Sequence, residues 1–226
     1  GNVETYIDGE RREMVDRAQS PFEPGSVFKL VMSAAALEAG EDAFTYTCDG
    51  VIDVDGVQIP CHEKEGHGPE DLTLSLKNSC NPAFIALGER LGKDRIIDTA
   101  YLMGLGGTKT AYQNQPVSEG NLPVYKNLPA EIANLSIGQG DVQVTPFQVA
   151  GMLDVIANEG KKRPLNVVAG IGDKDGKIIL DQRRKGGEQV IKPSTAMTII
   201  KMMEETVNGT ASNGKIEGMR TACKTG

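Results

Sequence analysis

The sequence predicts a mixed chain of the α+β kind (α/β in the broad sense), with helices and antiparallel strand pairs in one unit. Three observations predict it. Helical periodicity recurs in segments separated by Gly, Pro and Asn. Two short apolar runs turn back on themselves at Asp-Gly, the strongest short hairpin signal. Glycine is abundant at 27 residues and Trp is absent, so loops are plentiful and the core is aliphatic. A length of 226 residues is enough to bury a sizeable core.

Residues 1–20 are polar and without sustained period, an extended lead-in. Residues 26–39 read as a helix, with Pro24-Gly25 before it and Gly40 at the position after its end. Leu30, Ala34 and Leu37 share one face, flanked by Val27, Val31 and Met32. Residues 51–59, VIDVDGVQI, form a hairpin turning at Asp55-Gly56. A short helix over 72–77 and a longer one over 82–91 are separated by NSCN, and a third covers 93–103. Residues 104–131 are a loop rich in Gly, Pro, Asn and Gln, and a loop that long is usually functional or mobile. Residues 145–159 are helical, with Pro146 in the first turn. VVAGIGDKDGKIIL is a second hairpin, residues 194–207 are helical, and MRTACKTG is a strand starting near Met219.

Composition excludes some functions. Net charge is −7 and the isoelectric point about 5.0, which argues against a nucleic-acid partner, because a phosphate backbone needs a basic face. No apolar run reaches about 18 residues, so no membrane helix is expected within the chain; an anchor would lie outside it. Four cysteines are too few for a disulfide scaffold.

The chemistry-bearing pattern begins at Ser26. A serine at a helix start is commonly an N-cap. Lys29 adds a second reading, because positions i and i+3 share a helix face and the amine can reach the Ser26 hydroxyl. Serine is a poor nucleophile until a base takes its proton, and lysine is a base once burial or a second cation lowers its pKa. The helix N-terminus favours an oxyanion at the same place. S-x-x-K alone is a weak pattern. Its company is Ser79-Cys80-Asn81 at a break between helices and Lys224-Thr225-Gly226 near the end.

S-x-x-K, S-x-N and K-T-G in this order resemble the three-motif set of penicillin-binding proteins and serine β-lactamases. FEPGSVFK, LSIGQGDVQVTPFQVAGMLDVIANEG and MMEETVNGTA resemble further segments of the monofunctional (class B-like) transpeptidase domain, so that the resemblance covers roughly residues 18 to 226. It implies a β-lactamase/transpeptidase-like fold, a helical lobe packed on an antiparallel sheet. That sheet has two strands before the serine helix and two after K-T-G; residues 1–20 hardly supply the first two. The expected organisation is therefore a lead-in over 1–20 and an incomplete transpeptidase domain over 21–226, truncated at the third-motif strand.

The implied function is peptidoglycan D,D-transpeptidation, with Ser26 forming an acyl-enzyme on D-Ala-D-Ala stem peptides. β-Lactams would acylate the same serine. Lys29 is the implied base, Ser79 the proton shuttle, Asn81 the holder of Lys29 and the substrate amide, and Lys224 the second cation. Thr225 and Gly226 are implied to bind the substrate carboxylate and backbone. Neither a metal nor an organic cofactor is required. Stem peptides and β-lactams are the implied partners, proteins of a cell-wall synthesis complex are further candidates, and the implied location is the extracytoplasmic face of the bacterial membrane. The alternatives are a D,D-carboxypeptidase or serine β-lactamase of the same superfamily, and a non-catalytic β-lactam sensor. Cys223 departs from the Gly found in many relatives and reads as a small buried residue.

Cys48 and Cys61 flank the first hairpin. In an extracellular domain a disulfide between them is the first reading, free thiols the second, and a zinc site with His62 or His67 the third. Cys80 is expected to pack inward. Gly138-Gln139-Gly140 lacks the strand and helix context of a phosphate loop and reads as a tight turn under the cleft.

Overall fold

The computed structural model describes residues 17–107, 118–122, 128–164, 169–181 and 186–226. Helix α1 (Lys29–Ala39) lies at the centre, and every residue from Lys29 to Ala36 is buried. Its run of Ala34, Ala35 and Ala36 explains the plain sequence: a helix enclosed on all sides needs small residues so that its neighbours can approach. Gly40, left-handed at φ 80°, ends it as expected. The helix starts later than residue 26, because Gly25–Phe28 forms a 3-10 turn leading into it.

Around α1 pack α2 (Leu72–Lys77), α3 (Asn81–Leu91), α4 (Lys93–Leu102) and α7 (Pro193–Thr206). Helices α5 (Pro129–Ser136) and α6 (Pro146–Ala157) complete the described lobe. Asp71 caps α2 by accepting from Leu74 N at 2.8 Å. A reciprocal capping box starts α6: Thr145 Oγ1 accepts from Gln148 N, and Gln148 Oε1 from Thr145 N. Thr145 and Gln148 are both buried, so this cap is part of the core.

The strands are antiparallel, as expected, and occur as two-stranded ribbons among the described residues. β1 (Thr45–Cys48) pairs with β4 (Gly68–Asp71), and β2 (Val51–Val54) with β3 (Val57–Pro60). The β2–β3 hairpin turns at Asp55-Gly56 and lays Val54, with Ile52 and Ile59, on Ile85 and Ala133. β6 (Gly170–Gly172) and β7 (Ile178–Asp181) form the second expected hairpin. β5 (Lys161–Lys162) pairs with β8 (Glu188–Gln189), a ribbon too short to leave a period in the sequence.

Three expectations need correction or lie outside the described residues. The 104–131 loop ends in α5, whose start is marked by Pro129; residues 108–117 and 123–127 of that loop are not among those described. The segment from Met219 to Gly226 is not a strand. Ile216–Met219 is a turn, and among the described residues no strand runs beside 221–226 to supply a hydrogen-bond ladder. Of the 1–20 lead-in, only Arg17–Ser20 is described, and it begins with a 3-10 turn.

Candidate active site

Ser26 sits in the 3-10 turn before α1 and is not the N-capping residue of either element, those positions falling to Pro24 and Phe28. Two backbone supports hold that turn. Phe22 and Val144 exchange hydrogen bonds at 2.9 and 2.8 Å, and Gly25 N donates to Gly138 O at 2.9 Å. Gly138 is left-handed, at φ 71°, and a Cβ there would lie 2.2 Å from Gly25 O. Only glycine allows this approach. The G-x-G at 138–140 is therefore a turn directly beneath the serine, as its sequence suggested.

Lys29, in the first turn of α1, has no exposed surface. Its Nζ lies within hydrogen-bond distance of four oxygens, Ser26 Oγ at 3.0 Å, Ser79 O at 2.7 Å, Ser79 Oγ at 3.2 Å and Asn81 Oδ1 at 2.6 Å, more than its N–H groups can serve at once. The Phe84 ring lies 5.5 Å from the ammonium. Burial, and then the Lys224 cation, lower the Lys29 pKa to about 7. Asn81 opens α3, where Pro82 occupies the first turn. Ser79 has φ 53°, a rare conformation for a residue with a side chain, and it aims both its carbonyl and its hydroxyl at Lys29. Buried Glu70, on β4, accepts from Asn78 Nδ2 at 2.8 Å and so braces the residue before Ser79.

Lys224 approaches from the opposite wall. Its Nζ donates to Ser79 Oγ at 3.0 Å and to Thr225 O at 2.7 Å, and burial lowers its pKa to about 8. The segment carrying it is fastened to the end of α7: Cys223 N donates to Met203 O at 3.2 Å, and Thr206 Oγ1 donates to Cys223 O at 2.5 Å. Gly226 rests against Val27 and Pro24, where a Cβ would meet Val27 Cγ2 at 2.8 Å. Thr225 is exposed. Cys223 is half-buried rather than enclosed. Behind the segment lies an apolar groove of about 610 Å³ lined by Val27, Leu30, Leu153, Ile156, Ile200 and Met203.

The fold thus brings Ser26, Lys29, Ser79, Asn81 and Lys224 to one point, with Thr225 and Gly226 at its rim. Sequence reasoning did not find Gly25, Glu70, Asn78 or Phe84 as supports. The GxG spacing was the only signal for the turn beneath the serine, and nothing local marks Glu70. Cys48 and Cys61 carry no disulfide; both are free, as are Cys80 and Cys223. The first two do not face each other as an isolated pair, because Cys80 and His67 share the same point. Cys80 packs inward, as expected.

Chemically, this is a hydroxyl beside a buried amine poised near neutrality, with a second hydroxyl bridging to a cation. Comparison with known proteins agrees with that geometry. Residues 2–226 match the penicillin-binding protein transpeptidase domain model. The chain is 36% identical over 216 residues to stage V sporulation protein D of Bacillus subtilis (strain 168), covering 92% of this chain and 33% of that protein. It is 30% identical over 234 residues to the peptidoglycan D,D-transpeptidase PbpA of Mycolicibacterium smegmatis, covering 99% of this chain and 46% of that protein. The chain therefore spans a third to a half of the length of these relatives. Penicillin-binding protein A from M. tuberculosis, solved as a ceftriaxone acyl-enzyme complex, superposes with a TM-score of 0.84 at 27% identity, over 99% of this chain and 52% of that one. The chain belongs to the family of penicillin-binding protein transpeptidase domains.

Proposed function

We propose that the protein is a serine-type peptidoglycan D,D-transpeptidase and that Ser26 is its nucleophile. The observation that carries this reading is the wholly buried Lys29 amine, 3.0 Å from Ser26 Oγ, with its pKa brought to about 7. At neutral pH a large share of Lys29 is unprotonated, so it accepts the Ser26 proton as Oγ attacks the carbonyl of the penultimate D-alanine. The Ser26 N–H lies in the first turn, where a helix has no partner of its own, and it faces the oxyanion. The C–N bond to the terminal D-alanine then breaks. Its amine takes a proton relayed by Ser79, whose hydroxyl stands between Lys29 and Lys224. An amine of a second stem attacks the ester, releases Ser26 and forms the cross-link, with the proton returning along the same path.

Asn81 accepts from Lys29 and fixes the amine's position, leaving its side-chain amide for the substrate. Lys224 supplies positive charge for the substrate's terminal carboxylate, with Thr225 and Gly226 beside it. β-Lactams, which present the same acylating carbonyl and carboxylate, react at Ser26. Because peptidoglycan is the substrate, the site works on the extracytoplasmic face of the membrane. No described helix is itself long and apolar enough to cross a membrane.

Labelling with a fluorescent penicillin, followed by peptide mass mapping, tests the reading. A persistent adduct on Ser26 is expected. An adduct elsewhere overturns the site, and rapid turnover of the penicillin assigns hydrolysis in place of transpeptidation.

A further inference from the structure

Two ribbons and the second motif end on one point that the acylation chemistry does not use. Cys48 closes β1, Cys61 follows β3, His67 precedes β4, and Cys80 stands before the first residue of α3. Their three thiol sulfurs and an imidazole nitrogen all lie within 4.8 Å of one another. Cys61 Sγ is 3.5 Å from His67 Nδ1. The three cysteines are buried and His67 is half-buried.

The backbone around this point is built to converge. Cys61 N donates to Gly50 O at 2.8 Å, which closes the chain from Cys48 to Cys61 into a loop. Gly66 has φ 78°, and a Cβ there would lie 2.0 Å from Cys48 O, so the His67 segment crosses the Cys48 turn backbone to backbone. Glycine, with no Cβ, permits so close an approach of the two segments.

We propose that Cys48, Cys61, His67 and Cys80 bind a zinc ion. Three thiolates and one imidazole are the soft, tetrahedral donor set that Zn(II) prefers. With Zn–S near 2.3 Å, the sulfurs of such a site lie about 3.8 Å apart, so the observed donors need to close by about 1 Å or less. All four positions would be filled by protein, which makes the site structural and leaves no position for a reacting water. What it fastens is specific. Cys80 lies between Ser79 and Asn81, so the ion ties the two residues that hold Lys29 to both ribbons. Binding would displace the protons of the three thiols, so metal affinity should fall at low pH.

The test starts with the protein itself, purified without chelator, by metal analysis and cobalt exchange. About one zinc per chain is expected. Replacement by Co(II) alone should give the thiolate charge-transfer absorption and the intense tetrahedral d–d bands of a sulfur-rich site. His67→Gln should weaken metal binding about 100-fold or more in chelator competition, since even the loss of a ligand's supporting partner costs 10- to 100-fold. Stripping the metal should slow penicillin acylation while helicity is retained. A metal-free protein with Cys48 and Cys61 joined in a disulfide overturns the proposal. Cobalt spectra without thiolate bands overturn it equally, whatever the acylation rate.

Discussion

Lys29 and Lys224 reach Ser79 Oγ from opposite walls, at 3.2 and 3.0 Å, but they are held in different ways. Lys29 is fully enclosed in a helix whose neighbours surround it, and four oxygen contacts from three residues fix its amine. Lys224 lies half-buried on an extended segment tied to α7 by two hydrogen bonds. The stronger burial brings Lys29 to about 7, and the weaker leaves Lys224 at about 8. The order matters more than either value. Between the two, Lys29 is mostly neutral and Lys224 mostly charged, which is the division that the proposed roles of base and cation require. Two copies of one side chain are thus desolvated to different degrees, and the charge of the second lowers the pKa of the first.

The hardest test of this comparison removes the Lys29 amine and keeps its bulk. Lys29→Met should cut penicillin acylation at least ~100-fold, the low end for loss of a general base, with near-UV circular dichroism largely kept. Stopped-flow rates within a few-fold of the parent would return Lys29 to a structural role. Next in size is Gly138→Ala, which strikes the Ser26 wall alone. A left-handed alanine driven against the Gly25 carbonyl should cost about 3 kcal/mol in denaturant unfolding and slow acylation, while the Lys224 segment stays docked. Unchanged stability would mean that the turn beneath Ser26 is not a close fit.

The mildest test addresses the coupling. Acylation should rise with pH as Lys29 loses its proton near 7 and fall as Lys224 loses its own near 8. Lys224→Gln removes the cation that disfavours protonation of Lys29. The Lys29 pKa should therefore rise, and the acidic limb of the rate profile should move to higher pH, in addition to any loss in rate. An acidic limb that stays in place would show that burial alone sets the base.

Much of this was legible in the chain itself. The α2 bounds, the Asp55-Gly56 hairpin, the second hairpin and the Gly40 stop depend on residues close together in sequence, and local rules reach them. The motifs named Ser26, Lys29, Ser79, Asn81 and Lys224 because their chemistry needs those residue types. Helix α5 was missed because the polar tract before it hid the start at Pro129. The expected strand after Met219 was wrong for a different reason: extended propensity makes a strand only where a neighbour offers a ladder.

The sequence by itself determined the reactive groups, most helices and both hairpins, since each follows from side-chain chemistry or from contacts within a few residues. Only the tertiary structure decided that Lys29 lies buried within reach of three oxygen-bearing residues, that Gly138 supports the serine turn, and that Cys48 and Cys61 meet His67 and Cys80 instead of pairing alone. Those outcomes depend on burial and on approaches between segments far apart in the chain. Desolvation and close packing are properties of the assembled fold, and no local pattern encodes them.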